Sequence, residues 1–212
     1  MKHLPDYERA EADCGILGFG LSRELYARLE DFASLIAAAS SRTNLIGPAE
    51  LPRLWERHIL ESLAYAKTLD ASSFTVDVGS GAGLPGIVLA LAGFETMLLE
   101  PRRRRFAFLR EAAGELGLEG VKTVRGKLLA SGPYPGGTQF VARSVMEPEA
   151  LVAQVSMTCE GPFTCTLRCG PGKATPEGFA VFDLLSPPLD RKGVLVQYRH
   201  PDRLTLLREG HR

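Results

Sequence analysis

The eleven residues Val76–Gly86, which read V-D-V-G-S-G-A-G-L-P-G, decide the fold of this chain. They follow a short run rich in aromatic and β-branched residues, Phe74–Val76, and precede an apolar stretch, Ile87–Ala92. This order predicts a strand, a glycine turn and a helix that begins directly after the turn. Glycines let backbone N–H groups approach a ligand closely, and a helix start offers unpaired donors. The segment therefore predicts a site for a nucleotide-type cofactor.

A dinucleotide is one cofactor that this turn would suit. Gly81, Gly83 and Gly86 satisfy the pattern G-x-G-x-x-G of dinucleotide-binding folds. Glu100 follows about twenty residues later, where such folds place the acidic residue that binds a ribose. This pattern alone is weak, because it fits more than one class of nucleotide-binding protein.

The carboxylate of Asp77 favours a cationic ligand instead. Asp77 lies at the end of the predicted strand, and the glycine run already begins at Gly79. A neighbouring carboxylate repels a pyrophosphate, whereas it attracts the sulfonium and amino groups of a methyl donor. The turn resembles the first motif of S-adenosylmethionine-dependent methyltransferases, and this resemblance places Glu100 at the two ribose hydroxyls. A nicotinamide dinucleotide is the alternative.

The composition predicts a soluble globular protein of about one domain. The chain has 212 residues, of which 45% are hydrophobic and 24% charged, and its formal net charge is zero. No global positive field therefore draws it to nucleic acid. The charged N-terminal residues argue against a signal peptide, and the longest weakly polar stretch, Gly81–Phe94, is too short to span a bilayer. We expect a cytoplasmic protein that makes no membrane contact.

The four cysteines, Cys14, Cys159, Cys165 and Cys169, are expected to be reduced thiols in that compartment. Cys165 and Cys169 would share one face of a strand, but no histidine or further cysteine pair lies near them in the sequence. We therefore expect no metal site.

Hydrophobic periodicity predicts two N-terminal helices followed by alternating strands and helices. Residues 22–39 show helical spacing with Ser22 as the N-cap, and residues 48–69 show a second helical pattern interrupted by Pro52. The segment Ser131–Thr138 is predicted to be a flexible surface turn. Strands are predicted at 74–78, 96–100, 121–125, 139–143, 163–168, 179–185 and 194–198, and helices at 102–117 and 148–158.

Repeating strand–helix units of this length predict an α/β fold. We expect a mostly parallel seven-stranded sheet with helices on both faces, of the Rossmann-like class I methyltransferase type, over residues 71–212. Residues 1–70 would form a helical extension packed on that domain. Ligands bind such sheets beyond the carboxyl ends of the strands. Because Asp77, Glu100, Lys127 and Arg143 lie at or after predicted strand ends, they are expected to meet in one crevice.

Beyond the glycine turn, the order of several short motifs resembles the GidB/RsmG family, the guanine-N7 methyltransferases of small-subunit (16S) ribosomal RNA. The motifs are Asn44-Leu45, the helix sequence Arg57–Leu63, the ending Leu84-Pro85-Gly86, the segment Leu99-Glu100-Pro101 with the basic run after it, and Arg143-Ser144-Val145. The resemblance extends over roughly residues 40–170. It implies a monomeric S-adenosylmethionine-dependent enzyme whose partner is small-subunit ribosomal RNA or the 30S particle.

The resemblance and the predicted strand ends together assign the site residues. S-adenosylmethionine would be bound by Asp77, Gly79, Ser80, Gly81, Ala82, Gly83, Leu84, Pro85, Glu100, Pro101, Arg102, Lys127, Leu128 and Arg143. RNA would be contacted by Asn44, His58, Arg103, Arg143 and Arg168. Arg143 is the candidate catalytic residue, because a guanidinium can hold a phosphate or guanine O6 with two hydrogen bonds. Guanine N7 carries a lone pair and no proton, so the transfer would need positioning and no general base.

Several of these side chains also have a purely structural interpretation. Arg143 would form an ion pair with Glu147, His58 would be a packed and hydrogen-bonded histidine, and Arg168 would be exposed to solvent. Four consecutive arginines, Arg102–Arg105, point around the whole circumference of a helix, so only one or two of them can face one groove.

Three positions depart from the family pattern. The segment Gly126–Leu129 lacks the usual acidic residue near adenine, Arg168 replaces a lysine, and Glu61 replaces an aspartate. Arginine and lysine are not interchangeable where a compact charge must reach one atom. A non-catalytic RNA- or ribosome-binding protein on a methyltransferase fold is therefore the second interpretation, and a nicotinamide-dependent oxidoreductase is the third.

Overall fold

A seven-stranded sheet forms the centre of the computed structural model, which describes residues 3–43, 45–170 and 175–200. The strands are β1 (Thr75–Val78), β2 (Thr96–Leu99), β3 (Lys122–Val124), β4 (Tyr134–Pro135), β5 (Gln139–Ala142), β6 (Cys159–Glu160), β7 (Phe163–Cys169), β8 (Ala180–Leu184) and β9 (Gly193–His200). Their order across the sheet is β3-β2-β1-β5-β7-β9-β8, while β4 and β6 pair separately. Strands β1, β2, β3, β5 and β7 run parallel, and β9 is antiparallel to both β7 and β8. The predicted mostly parallel sheet with an antiparallel closing pair is confirmed.

Helices precede the sheet and connect its strands. They are α1 (Tyr7–Ile16), α2 (Arg23–Thr43), α3 (Leu60–Ala66), α4 (Gly86–Leu91), α5 (Arg103–Glu115), α6 (Leu128–Ser131) and α7 (Pro148–Ser156). The predicted N-cap of α2 is confirmed, since the Leu25 N–H donates to Ser22 Oγ at 3.0 Å. The pattern at residues 48–69 is not one continuous helix. A 3₁₀ turn at Leu51–Arg53 and a π-helical turn at Trp55–Ile59 lead into α3.

The prediction of a flexible surface turn at Ser131–Thr138 is wrong for its central part. Tyr134 is only 2% exposed, and it pairs with Cys159 through strands β4 and β6. Its ring packs edge-on against Phe140 at a centroid distance of 5.2 Å. The prolines and glycines of this segment favour a turn, so the burial of Tyr134 is not evident from the sequence.

Alternating residues of the central strands supply two hydrophobic cores. On one face, Val76, Val78 and Phe140 pack with residues of α7. On the other face, Val141 and Leu98 share a core with residues of α1–α5. The N-terminal helices therefore complete the core on one side of the sheet, while the division of the chain between residues 70 and 71 stays a prediction.

Gly86 begins α4 at a position where no side chain fits. A Cβ atom there would lie 2.5 Å from Oδ2 and 2.9 Å from Cβ of Asp77, and it would also overlap Leu98. We expect Gly86→Ala to lower the free energy of unfolding by about 2–3 kcal/mol, because overpacking forces the helix away from the sheet. Urea denaturation measures this loss.

Gly114 on α5 provides the matched control for that substitution. A Cβ atom there would meet nothing within 4 Å. Gly114→Ala is therefore expected to stabilise the protein by about 0.5–1 kcal/mol, since alanine restricts the unfolded chain and favours the helix. A Gly86→Ala variant as stable as the wild type would contradict the packing described for α4.

Candidate active site

A cavity of about 660 Å³ opens at the carboxyl ends of the parallel strands. It lies where β1 has β2 on one side and β5 on the other, which is the point at which the strand order reverses. Its volume is within the range of about 300–1,000 Å³ that small-molecule sites occupy. The fold therefore provides a ligand-sized space where the sequence predicts one.

Most of the residues predicted to bind ligands line this cavity. They are Gly79, Ser80, Gly81, Ala82, Leu84, Glu100, Pro101, Arg102, Lys127, Leu128, Arg143 and His58. The lining does not include Asp77, Gly83, Pro85, Arg103 or Arg168. Asn44 lies outside the described residues.

The basic run at the start of α5 contributes the predicted Arg102 and, in addition, Arg105 to the cavity lining. Arg105 lines the cavity, whereas Arg103 faces a separate groove with Phe106 and Arg125. Two positions on a helix are separated by about 200° of rotation, so these two side chains point in nearly opposite directions. The predicted RNA contact of Arg103 would therefore lie outside this cavity, and it stays a prediction.

The backbone of the glycine turn adopts a conformation that favours glycine. Gly79 and Gly81 have φ angles of 73° and 58°, a region that side-chain-bearing residues rarely adopt. The N–H groups of Gly79 and Ser80 donate to the carbonyl oxygen of Leu99 at 2.8 and 3.1 Å, which fixes the turn to the end of β2. A Cβ atom on Gly81 would make ordinary contacts at 3.7 Å with Arg105 Nη1 and the Gly79 carbonyl oxygen, and Gly81 itself lines the cavity.

The Glu100 carboxylate is fixed beside this turn. The residue is 3% exposed, and its Oε2 accepts the Gly81 N–H at 3.0 Å. Its Oε1 accepts the Arg102 N–H at 2.8 Å. Each carboxylate oxygen has a second lone pair, so Glu100 can still accept hydrogen bonds from ligand hydroxyls. The carboxylate is therefore fixed by the protein and is not surrounded by solvent.

Asp77 lies beneath the turn and not on the cavity surface. Its side chain is on the opposite face of β1 from Val76 and Val78 because strand side chains alternate. It is 1% exposed, and Oδ2 accepts the Gly86 N–H at 2.9 Å. Burial raises the pKa of Asp77 to about 7, although the Gly86 hydrogen bond and the charge of Arg143 oppose the shift. The carboxylate therefore caps the start of α4 and does not line the cavity that the sequence predicts it to border.

The Asp77→Asn substitution should flatten the pH dependence of stability. Asparagine retains an acceptor for the Gly86 N–H but carries no charge. The folded pKa of about 7 exceeds the ordinary value of 3.8, so the destabilisation by the ionised carboxylate is absent below about pH 4. It then grows by at most ~1.4 kcal/mol per pH unit until about pH 7 and is constant above.

Urea denaturation between pH 4 and pH 8 tests this expectation. The wild type should lose stability relative to Asp77→Asn as the pH rises from 4 to 7. A difference between the two proteins that is the same at every pH would contradict the buried, proton-binding state of Asp77.

Arg143 lines the cavity, and its guanidinium group contacts the side chains of His58 and Glu61. Its Nη2 donates to Nδ1 of His58 at 3.1 Å, and its Nη1 lies 3.6 Å from Oε1 of Glu61. The ion pair that the structure shows for Arg143 is thus with Glu61, while the sequence suggested Glu147. A guanidinium fixed at the end of β5 keeps N–H groups available for a ligand in the cavity.

His58 is neutral and lies between the charged side chains of Arg143 and Glu50, with a hydrogen bond to each. Burial, together with the charges of Arg143 and Arg57, lowers the pKa of His58 to about 3. Because Arg143 donates to Nδ1, the hydrogen-bond network assigns the ring proton to Nε2, which donates to Glu50 at 3.1 Å. The interpretation of His58 as a packed, hydrogen-bonded histidine holds, and the same residue also reaches the cavity surface.

Arg168 forms a buried ion pair, whereas the sequence suggested either an RNA contact or an exposed side chain. Its side chain is 6% exposed, and Nε donates to Oε2 of Glu61 at 2.9 Å. It is therefore neither exposed to solvent nor part of the cavity lining. Glu61 and Arg168 are two of the three departures from the family pattern, and they bond to each other behind the site.

Several lining residues were missed by sequence reasoning. They are Glu50, Arg57, Arg105, Gln154 and Arg191. Arg57 belongs to a motif quoted above, so its signal was present. Arg191 lies in the loop between β8 and β9, where no local pattern marks it.

A model of one known protein family matches residues 25–157, which is more than half of the chain. Its description is GidB, rRNA small subunit methyltransferase G. The chain belongs to the GidB family. The predicted family is therefore confirmed, together with the fold class that it implies.

Curated members of the GidB family match the same region. The ribosomal RNA small subunit methyltransferase G of Frankia alni is 45% identical over 133 residues, which are 60% of this chain and 51% of that protein. The protein of the same name from Kineococcus radiotolerans is 48% identical over 103 residues, which are 47% of this chain and 41% of that protein. The chain thus spans about half the length of the curated relatives it matches.

A solved structure shares the fold of this GidB-family chain. A SAM-dependent methyltransferase from Aquifex aeolicus aligns with a TM-score of 0.53 at 14% identity, over 76% of this chain and 97% of that one. The fold is that of class I S-adenosylmethionine-dependent methyltransferases. In the described part of the chain, no three His, Cys, Asp or Glu side chains are grouped to hold a metal. None of the described helices combines the length and apolar character needed to cross a bilayer.

Proposed function

We propose that this chain is a cytoplasmic, monomeric S-adenosylmethionine-dependent methyltransferase that acts on N7 of a guanine in 16S ribosomal RNA. Membership of the GidB family and the class I fold support the reaction class. The observation that carries the proposal is the Glu100 carboxylate, which is buried and fixed by two backbone N–H groups at the edge of the cavity.

The residues that line the cavity match the chemical groups of the methyl donor. Glu100 would accept the ribose hydroxyls, and the backbone of Gly79–Gly81 borders the space beside it. Leu99, Pro101 and Leu128 offer an apolar surface for adenine. The bound donor supplies an activated methyl group. The protein then has to hold this donor and exclude water from it.

The remaining residues assigned to the cofactor act by shaping the turn. Asp77 fixes the start of α4 beneath the turn, because its Oδ2 accepts the Gly86 N–H. The Gly83 N–H donates to the Ser80 carbonyl at 2.7 Å, and Pro85 directly precedes α4. We propose that these three residues position the cavity wall without contacting the donor.

The acceptor side of the site contains no free general base in the described residues near Arg143. His58 is neutral, and both of its ring nitrogens are hydrogen-bonded. This arrangement suits an acceptor such as guanine N7, which has no proton to lose. Arg143 would orient the base through O6 or hold a phosphate, because its guanidinium is fixed by His58 and Glu61.

A mapped methyl-transfer assay tests the proposed function. Small ribosomal subunits that lack the modification are incubated with the protein and labelled S-adenosylmethionine, and the labelled nucleotide is then located. We expect label at N7 of one guanine of 16S ribosomal RNA, on the particle or on the naked RNA. Binding of S-adenosylmethionine without any labelled product would support the non-catalytic interpretation instead.

A further inference from the structure

Arginine side chains gather at one end of the cavity, away from Glu100. Arg57, Arg143 and Arg191 line the cavity, and the last of these lies two residues before β9. Glu100 directly follows β2, and three strand positions separate β2 from β9 in the order β2-β1-β5-β7-β9. Neighbouring strands are about 4.8 Å apart, so the backbones of β2 and β9 are separated by roughly 19 Å. This arginine-rich end of the cavity therefore lies on the far side from Glu100, where the ribose of the cofactor is proposed to bind.

The charges at this end of the cavity do not balance. The cationic side chains are Arg53, Arg57, Arg143, Arg168 and Arg191, and the anionic ones are Glu50, Glu61 and Asp190. Since His58 is neutral and the buried Asp77 carboxylate interacts with Arg143, five positive charges face at most four negative ones. The excess of positive charge favours an anion.

The three carboxylates are already shared among the other arginines. Glu50 lies 2.6 Å from Arg57 and 3.6 Å from Arg53, and Asp190 lies 3.3 Å from Arg57. Glu61 lies 2.9 Å from Arg168 and 3.6 Å from Arg143. Within the described residues, Arg191 forms no ion pair shorter than 4.0 Å. Arg191 is therefore the one arginine of this group without a carboxylate partner within 4.0 Å among the described residues.

Arg191 also carries an unused hydrogen-bond donor. Its Nε is buried and has no hydrogen-bond partner among the described residues. Burial and the neighbouring charge of Arg168 lower the pKa of Arg191, while the charge of Glu61 opposes this shift. A buried donor without an acceptor is destabilising, so this group suits an acceptor from outside the chain.

We infer that Arg191, with Arg57 and Arg143 beside it, binds a phosphodiester group of the acceptor RNA next to the target guanosine. This inference rests on the proposed function. A phosphodiester carries the negative charge that the cluster lacks, and its two free oxygens match the paired N–H groups of a guanidinium. Anchoring the backbone at this end would hold the acceptor base over the end of β5, between Arg191 and the glycine turn.

The test measures RNA binding without methyl transfer. A fluorescent single-stranded RNA of twelve nucleotides with one guanosine is titrated by anisotropy into protein saturated with S-adenosylhomocysteine, at several KCl concentrations. Arg191→Gln is expected to weaken binding about tenfold and to reduce the slope of log K against log salt by about 0.7, the value for one lost phosphate contact. Arg191→Lys should keep the slope, because it keeps the charge.

Arg199→Gln is the matched control. Arg199 is exposed on the same strand, β9, but at the opposite edge of the sheet, where it pairs with Thr164. It should bind RNA as the wild type does, and circular dichroism should show all three variants folded. Both proteins altered at residue 191 should also keep wild-type affinity for S-adenosylmethionine in calorimetry.

Three outcomes would overturn the inference. One is a wild-type slope and affinity for RNA in Arg191→Gln, and another is a wild-type protein that does not bind the RNA. The third is loss of S-adenosylmethionine affinity in Arg191→Gln with RNA binding intact, which would assign the cluster to the cofactor. If the RNA results are as expected but no methyl group is transferred by the wild type, the proposed function fails and the phosphate subsite stands.

Discussion

Glu100→Ala should weaken binding of S-adenosylmethionine more than a hundredfold and leave the fold intact. The carboxylate is oriented by the Gly81 and Arg102 N–H groups and would accept two hydroxyl groups of the ribose. Hydrogen bonds to a charged group contribute about 1.5–3 kcal/mol each, so losing two of them costs at least ~3 kcal/mol of binding free energy. The fold survives because both backbone donors border the cavity, where water can replace the carboxylate.

Calorimetric titration of the variant with S-adenosylmethionine measures this loss. Glu95→Ala is the matched control, because Glu95 is exposed at the opposite end of β2 and lies outside the cavity lining. We expect the control to bind as tightly as the wild type. Equal affinity of Glu100→Ala and the wild type would refute the placement of the ribose at this carboxylate.

Glu61→Leu should lower the free energy of unfolding by about 3–5 kcal/mol, since it removes the partner of a buried charge. Glu61 is 1% exposed and lies against two guanidinium groups, those of Arg168 and Arg143. Without the carboxylate, these two like charges remain buried side by side. The same change should weaken RNA binding, because Arg143 loses one of the groups that fix it in the cavity.

Urea denaturation with two comparison variants checks this prediction. Glu61→Asp keeps the charge and should retain most of the stability, whereas Glu149→Leu, an exposed site on α7, should change it by no more than about 0.5 kcal/mol. Removing both partners, in Glu61→Leu with Arg168→Leu, should recover part of the loss. A Glu61→Leu protein as stable as Glu149→Leu would show that this carboxylate does not stabilise the buried arginines.

The sequence predicts the sheet and its turn well because both follow from local patterns. Strand and helix periods mark β1, α5 and α7 to within a few residues, and the glycine run marks the turn where the backbone must take positive φ angles. Glu100 is found for the same reason, since its distance along the chain from Gly81 is set by one helix and one strand.

The contacts behind the site could not be predicted in this way. Arg168 and Glu61 are 107 residues apart, so their pairing depends on how β7 and α3 pack and not on any local pattern. The direction of Asp77 was available in principle, because Val76 and Val78 define the other face of β1. Arg191 lies in a loop without periodicity, and its unpaired Nε becomes visible only when the surrounding charges are placed.

The cavity beside Glu100 is expected to bind the methyl donor, and the roles proposed for Glu100, Arg143 and Arg191 all depend on this binding. Calorimetric titration of the wild-type protein with S-adenosylmethionine, and separately with NAD, tests it most directly. We expect one molecule of S-adenosylmethionine to bind per chain with a dissociation constant on the order of micromolar, which corresponds to about −8 kcal/mol, and no measurable heat from NAD. Micromolar binding of NAD with no heat from S-adenosylmethionine would contradict the account.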